Sequence, residues 1–113
     1  MLRAPILVLT QMPDQDSAEA LARALVEARL AACVSIGAAT GSLYHWRGEI
    51  EMAREVPVVV KTCSDAYPAV EKAIRNRHPY ELPEIIAVPI TDGLPAYLEW
   101  IDRETRPDGS PAA

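Results

Sequence analysis

Several residue types are scarce or absent in this chain. It has no phenylalanine, two histidines and two cysteines among 113 residues, and no apolar run approaches the roughly 20 residues that cross a bilayer. The net charge of −5 argues against a nucleic-acid partner, because phosphate binding requires a basic surface. An RNA-recognition sheet, which stacks bases on aromatic side chains, is also disfavoured. We therefore expect no nucleic-acid partner and no membrane partner.

The start of the chain and its cysteines indicate a cytoplasmic protein. Met1-Leu2-Arg3 leads directly into an alternating apolar segment, which is not typical of a signal peptide. Cys33 and Cys63 both lie in apolar segments, and without a secretion signal we expect reduced thiols. The chain also lacks the motifs Gly-x-Gly-x-x-Gly, Gly-x-Ser-x-Gly and His-Glu-x-x-His, so it is predicted not to be an enzyme.

The order of the apolar patterns predicts one α+β domain over residues 1–105 and a flexible tail at residues 106–113. Strand-like and helix-like segments follow in the order strand, helix, strand, strand, helix, strand, helix. Two strand-helix-strand halves, Pro5–Ile36 and Val56–Ile90, are typical of a ferredoxin-like βαββαβ sandwich. The last helix is an addition to that pattern.

Local signals predict where individual elements begin, bend and end. Asp14 or Asp16 is expected to cap the first helix, whose apolar spacing continues to Leu30. The small residues of Gly37–Gly41 predict a bend or bulge, and Pro57 predicts an unpaired or bulged position in its strand.

A long β-hairpin around the tight turn at Arg47-Gly48 does not fit within one molecule. The 17 residues from Ala31 to Arg47 span roughly 55 Å as a strand, whereas a compact domain of this length is about 34 Å across. Tyr44 and Trp46 would then stand on an exposed edge, which natural proteins rarely leave unpaired. We expect another copy of the chain to cover the hairpin. The alternative is a hairpin that curls back onto its own sheet.

The same turn relates the two cysteines. Uninterrupted pairing outward from Arg47-Gly48 would place Cys33 opposite Cys63, and two adjacent thiolates suit a soft ion such as Cu(I). A register shift at Gly37–Gly41 or Pro57 would separate them. The favoured interpretation is that both are small apolar residues of the core.

The segment from His78 to Ile86 combines an imidazole, a phenol and two carboxylates with two prolines. Each proline fixes its own φ and holds the preceding residue, His78 or Leu82, in an extended conformation. A rigid polar loop that enters an apolar strand is a candidate site. The alternative is a helix stop followed by a tight strand entry.

Five blocks of this sequence together resemble the CutA divalent-cation tolerance family, over roughly Ile6 to Arg103. These blocks are Leu30-Ala-Ala-Cys-Val-Ser35, Ser42-Leu-Tyr-His-Trp46 with Gly48 and Glu55, Lys61-Thr62, His78-Pro-Tyr-Glu-Leu-Pro-Glu84 and Tyr97-Leu-Glu-Trp100. The resemblance implies a ferredoxin-like protomer assembled as a homotrimer, PII-like in architecture. It also implies a role in tolerance of copper or other divalent metal ions.

For metal binding, the resemblance implies His78 as the ligand, because neutral imidazole suits copper and zinc. Some bacterial family members have a cysteine and a second histidine where this chain has Thr10 and Arg77. We therefore expect at most weak binding of copper or another divalent cation.

For ligand binding, the resemblance implies a cleft between subunits lined by Glu55, Lys61, Tyr80 and Glu84, with Tyr44 and Trp46 as trimer-interface anchors. The pocket residues could instead form structural ion pairs and hydrogen bonds between subunits. An alternative function is a small-molecule enzyme on an oligomeric ferredoxin-like scaffold, with Glu55, Lys61 and His78 as acid-base groups.

Overall fold

The computed structural model describes residues 2–107 and shows a mixed α+β domain. Residues 108–113, most of the expected tail, lie outside the described residues. Five strands, a 3₁₀ turn and three helices follow one another: β1 Pro5–Met12, α1 Gln15–Glu27, β2 Cys33–Ile36, β3 Thr40–Trp46, β4 Glu49–Cys63, the 3₁₀ turn Ser64–Ala66, α2 Tyr67–Arg77, β5 Ile85–Pro89 and α3 Pro95–Glu104. The helices and strands follow in the predicted order, except that the structure has five strands and not four, because residues 37–39 divide the first strand of the hairpin into β2 and β3.

The strands form one antiparallel sheet in the order β2-β4-β1-β5, and β3 pairs with the outer half of β4. Residues of β2 and β4 that pair have numbers summing to 94, as in Ile36 and Val58, but those of β3 and β4 sum to 95, as in Thr40 and Glu55. Residues 37–39 therefore lie opposite only two residues of β4, 56 and 57. This is a β-bulge, and it lies within the predicted segment Gly37–Gly41. Pro57 is opposite this bulge, where its carbonyl accepts from Gly37 N–H at 2.9 Å.

The core lies between one face of this sheet and the helices α1 and α2. Side chains alternate in direction along a strand, so even-numbered residues of β1 and β4, such as Val8 and Val60, point into the core. Leu21 and Leu25 of α1 are fully buried against them at helical spacing, and so is Ile74 of α2. The opposite sheet face is only half-buried.

Helix α1 differs from its predicted bounds at the C-terminal end. Asp14 caps it by accepting from Ser17 N–H at 2.8 Å, as one of the two alternatives required. The helix ends at Glu27, however, and not at Leu30. Arg29 adopts a left-handed φ of 57°, and Leu30 N–H then bonds back to Leu25 O at 2.9 Å. This reversal turns Leu30 into the core and ends the helix, although the apolar spacing continues.

The hairpin formed by β3 and the outer half of β4 projects from the domain. Strand β4 is continuous over the 15 residues Glu49–Cys63. The molecule measures 51 × 26 × 23 Å, and its radius of gyration of 15.0 Å exceeds the about 13 Å typical of this chain length. The hairpin turn is tight because Arg47 and Gly48 both take positive φ, 51° and 82°.

Candidate functional site

A cleft of about 830 Å³ lies between the hairpin and the loop that follows α2. Its walls are residues 42–46 of β3, Glu55 of β4 and residues 80–84 of the loop. This volume is in the range of small-molecule binding sites. The cleft brings together five of the residues singled out from sequence: Tyr44, Trp46, Glu55, Tyr80 and Glu84.

The hairpin register decides which side chains face the cleft. Directly opposed residues of an antiparallel pair point to the same side, and Thr40 is opposite Glu55 while Trp46 is opposite Glu49. Tyr44, Trp46 and Glu55 therefore share one face. The other face carries Leu43 and, on β4, the apolar residues paired near it.

That other face is a feature the sequence interpretation missed. Leu43 is 73 % exposed, Ile50 71 % and Met52 62 %, and Leu43 is directly opposite Met52. The sequence contains the pattern that predicts this face, because apolar residues alternate with aromatic and charged ones on both sides of Arg47-Gly48. Three large apolar side chains left in water together indicate a contact surface.

His78 fixes the loop that forms the second wall. Its Nδ1 accepts from Tyr80 N–H at 3.2 Å, and its Nε2 lies 2.6 Å from Gln11 O. Since Gln11 O can only accept, Nε2 must carry the proton. The imidazole thus ties the loop to the end of β1, and its ring packs against that of Tyr80 with centroids 4.4 Å apart.

An ion pair connects the two walls at the hairpin tip. Arg47 Nη2 and Glu81 Oε2 are 2.7 Å apart, although both side chains are about 70 % exposed. The Arg47 guanidinium also lies over the Trp46 ring, 5.3 Å from its centroid. The pair orients the hairpin toward the loop, but its exposure limits its contribution to stability to about 1 kcal/mol or less.

The cleft is acidic. Three glutamates line it, Glu55, Glu81 and Glu84, and no lysine or arginine does. Glu55 is only 8 % exposed, yet among residues 2–107 its carboxylate has no hydrogen-bond donor and no cation within bonding distance. Burial raises the pKa of the nearby Tyr80 hydroxyl, and the negative charge of Glu55 raises it further.

Lys61 lies away from this cleft. Its Nζ donates to Ser35 Oγ at 3.0 Å and lies 3.6 Å from Cys33 Sγ, on the β2 side of the sheet. Six residues of extended strand separate it from Glu55, about 20 Å. Neither Lys61 nor His78 lines the cleft, so the three acid-base groups suggested for an enzyme are not assembled there.

The residues considered for metal binding are dispersed. Both nitrogens of His78 are engaged by backbone, Thr10 is buried on the core side of β1, and Arg77 is an exposed residue at the end of α2. Within residues 2–107, no group of three or more histidine, cysteine, aspartate or glutamate side chains is arranged to hold a metal ion.

The two cysteines are not paired. Cys33 is opposite Lys61 in β4, while Cys63 is opposite Pro5 in β1. The turn pairs residues whose numbers sum to 95 and not to 96, and the bulge shifts the register by one more position, so Cys33 lies opposite Lys61, two positions from Cys63. Cys63 is fully buried, and burial raises the pKa of its thiol, which is the behaviour of a structural residue.

A scan against protein-family models matches residues 6–104 to the CutA1 divalent ion tolerance protein family. The chain belongs to this family. It is 41 % identical over 99 residues to the divalent-cation tolerance protein CutA of Thermus thermophilus, covering 88 % of this chain and 96 % of that protein. The match spans the sheet, all three helices and the cleft.

Other relatives extend the comparison beyond this bacterial protein. Protein CutA of Mus musculus is 44 % identical over 93 residues, but the match covers 82 % of this chain and only 52 % of the mouse protein. This chain thus spans about half the length of that relative. The solved structure of the periplasmic divalent cation tolerance protein CutA from Archaeoglobus fulgidus superimposes with a TM-score of 0.87 at 36 % identity, covering 90 % of this chain and 99 % of the other.

Proposed function

We propose that this member of the CutA family acts as a PII-like, ferredoxin-type homotrimer in tolerance of divalent metal ions, copper among them. In this proposal it binds a small ligand or a metal ion at the clefts between its subunits and is not an enzyme. The observation that carries the proposal is the cleft itself, whose hairpin wall projects beyond the core and leaves an apolar face uncovered.

Two uncovered apolar surfaces support self-association. One is the outer hairpin face of Leu43, Ile50 and Met52, and the other is the open sheet face, where Ile86 is 51 % exposed and Val88 39 %. A second copy that pairs with the hairpin would bury the first surface, and closed symmetry would bury the second around a common axis. Three is the subunit number that the family resemblance implies.

Assembly would also complete the cleft. The hairpin and the 78–84 loop enclose it on two sides only, so a neighbouring subunit is needed to exclude water from the remainder. Tyr44 and Trp46, on the cleft face of the hairpin, are then interface anchors as well as wall residues. Aromatic side chains concentrate in such buried interface cores.

Light scattering on the full chain tests the assembly. We expect a trimer mass at micromolar concentration, and a monomer mass would refute the proposal. Trp46→Ala should weaken assembly by about 2 kcal/mol or more, as the loss of a buried aromatic anchor typically does. Tyr44→Ala, on the hairpin, should also weaken assembly. Tyr97→Ala on α3 is the matched control, because Tyr97 is exposed to a similar extent in one chain, 39 % against 42 % for Tyr44.

Metal binding is proposed to be weak and to involve His78. Binding through this residue would have to replace a backbone hydrogen bond, and Arg77 adds a permanent positive charge beside it. Calorimetric titration with Cu²⁺ on tag-free protein is the test. Stoichiometric binding tighter than about 1 μM, lost on His78→Ala, would contradict weak binding. Loss on Cys33→Ser or Cys63→Ser would place the site at a thiol instead.

A cytoplasmic location is proposed from the two free cysteines, since neither is within a disulfide among the described residues. None of the described helices has the length and apolar character needed to cross a bilayer. Fractionation of the native host, with detection in the soluble cytoplasmic or the periplasmic fraction, separates this location from that named for the Archaeoglobus relative.

A further inference from the structure

The charge of the cleft walls restricts what can occupy the cleft. Glu81 is neutralised by Arg47, but Glu55 and Glu84 have no cation among the described residues within ion-pair distance. Among residues 2–107, the cleft walls therefore present two uncompensated carboxylates and no lysine or arginine side chain. An anionic ligand would be repelled, and a cationic ligand would be attracted.

Glu55 provides a second and independent observation. Residue Glu55 as a whole is 92 % buried, but its carboxylate oxygens are not among the buried side-chain atoms that lack a partner, so they are the part of the residue that the water of the cleft reaches. Within residues 2–107, Glu55 has neither a donor nor a cation for its side chain, and only its backbone carbonyl accepts a hydrogen bond, from Thr40. Its side chain is aimed into the cleft and held there by the β3–β4 pairing. Its carboxylate therefore faces the cleft on an otherwise buried residue, with no donor or cation from residues 2–107 beside it.

The aromatic residues around Glu55 favour an organic counter-ion. Tyr44, Trp46 and Tyr80 all line the cleft, and ring faces attract ammonium and guanidinium groups. The guanidinium of Arg47 lies over the ring of Trp46. This contact shows that a guanidinium group can approach the ring face. A guanidinium is weakly hydrated and planar, and it can pair with a carboxylate through two hydrogen bonds.

A metal ion fits these walls less well. The cleft contains three glutamates and His45, yet no three metal-binding side chains of the described chain converge on one point. A divalent ion needs several ligands at about 2.0–2.6 Å, whereas an organic cation needs one carboxylate and a ring. The cleft volume of about 830 Å³ also exceeds the needs of a bare ion.

We propose that the cleft binds a small organic cation, an amine or a guanidinium compound, with Glu55 as its counter-ion and the rings of Trp46 and Tyr80 as its walls. This proposal rests on the ligand cleft of the proposed function and specifies the class of ligand. Glu84, at the exposed rim, contributes a longer-range attraction, so binding weakens as salt concentration rises.

Calorimetric titration of the full chain with methylguanidinium chloride, and separately with its neutral isostere methylurea, tests this assignment. We expect methylguanidinium to bind and methylurea not to bind. Glu55→Gln, which preserves shape and removes the charge, should weaken methylguanidinium binding by at least about tenfold. Glu19→Gln, at an exposed position on α1, is the matched control and should bind like the parent protein.

Other results would overturn the assignment. Equal binding of methylurea, or unchanged binding in Glu55→Gln with a native circular dichroism spectrum, would show that charge at Glu55 does not select the ligand. If Glu55→Gln misfolds, Glu84→Gln still tests the assignment, and an unchanged salt dependence in that variant counts against it. Stoichiometric Mg²⁺ or Cu²⁺ binding that Glu55→Gln abolishes would make the cleft a metal site.

Light scattering on the same samples separates this inference from the proposed function. A trimer that ignores methylguanidinium refutes the organic-cation site and leaves the assembly intact. A monomer that binds methylguanidinium through Glu55 refutes the trimeric cleft and keeps the cation site. A change of oligomer mass in Glu55→Gln, without cation binding by the parent, would mean that a basic side chain of a second copy occupies the cleft, and would refute the small-molecule assignment.

Discussion

Two buried acidic residues in this protein have opposite surroundings. Asp102 of α3 is 1 % exposed and accepts from Arg3 Nε at 2.8 Å and from Arg106 Nη2 at 2.9 Å. Glu55 of β4 is 8 % exposed and has no such partner among residues 2–107. The Asp102 carboxylate is removed from water and has its charge compensated within the chain, whereas the Glu55 carboxylate meets the water of the cleft and has no partner among the described residues.

The difference separates a structural role from a binding role. Asp102 joins Arg3, just before β1, to the C-terminal helix, and Arg3 Nη1 extends the connection to Asp65 at 3.1 Å. The carboxylates and guanidinium groups of this cluster pair with one another, so they hold the elements together and offer no unpaired charge to a ligand. The Glu55 carboxylate joins no two elements through an ion pair or hydrogen bond among residues 2–107, so it is left free for a partner from outside.

The largest expected effect is at Asp102. Asp102→Asn removes the common partner of Arg3 and Arg106 and should lower the free energy of unfolding by about 3 kcal/mol. Urea unfolding at fixed protein concentration measures this change, since assembly would make stability depend on concentration. Asp65→Asn breaks an ion pair whose acidic partner is 58 % exposed and should cost about 1 kcal/mol or less. Equal losses in the two variants would contradict the structural role of Asp102.

Acid should act through the same carboxylate, with a smaller effect. Burial opposes ionisation of Asp102, but the hydrogen bonds from Arg3 and Arg106 outweigh it and hold its pKa below the ordinary 3.8. Above about pH 5 both the folded and the unfolded state are ionised and the contribution to stability is complete. As pH falls further, the unfolded state binds the proton first, so stability is lost down to the lowered pKa.

Urea midpoints of the parent protein and Asp102→Asn, measured between about pH 5 and pH 2, check this dependence. The stability difference between them should shrink as pH falls below about 5. Asp14, whose pKa is also lowered by its hydrogen bonds from Ser17, contributes equally to both proteins and cancels. A difference that stays constant with pH would exclude Asp102 as the titrating group.

Features whose contacts join residues close in sequence could be predicted, whereas features whose contacts join residues far apart in sequence could not. The hairpin turn, the bulge and the stiff loop at His78 depend on neighbouring residues, and local signals predicted them. Helix α1 ended early because the left-handed φ of Arg29 is not visible in apolar spacing. The Asp102 cluster was missed because Arg3 and Asp102 are 99 positions apart and no short motif connects them.

The cleft was partly predictable for the same reason. Tyr44, Trp46 and Glu55 are related by hairpin register, and Tyr80 and Glu84 belong to one short loop, so family blocks and alternation identified them together. Lys61 belongs to the same strand as Glu55 but lies too far along it to reach the cleft. The six positions between Glu55 and Lys61 correspond to about 20 Å once both residues are assigned to one extended strand.

The smallest effect on stability, and the one that best sharpens the comparison, is expected at Glu55. Glu55→Gln removes an unpaired charge at the cleft surface without changing side-chain volume, so the free energy of unfolding should stay within about 1 kcal/mol of the parent. The matched substitution Asp102→Asn should lower it, although both replace the carboxylate of a buried residue by its amide. Urea unfolding of both variants, in buffer free of organic amines and guanidinium salts, measures the contrast. If Glu55→Gln proved as destabilising as Asp102→Asn, Glu55 would have a structural partner, and the cleft would lose the unpaired charge on which its selectivity for cations depends.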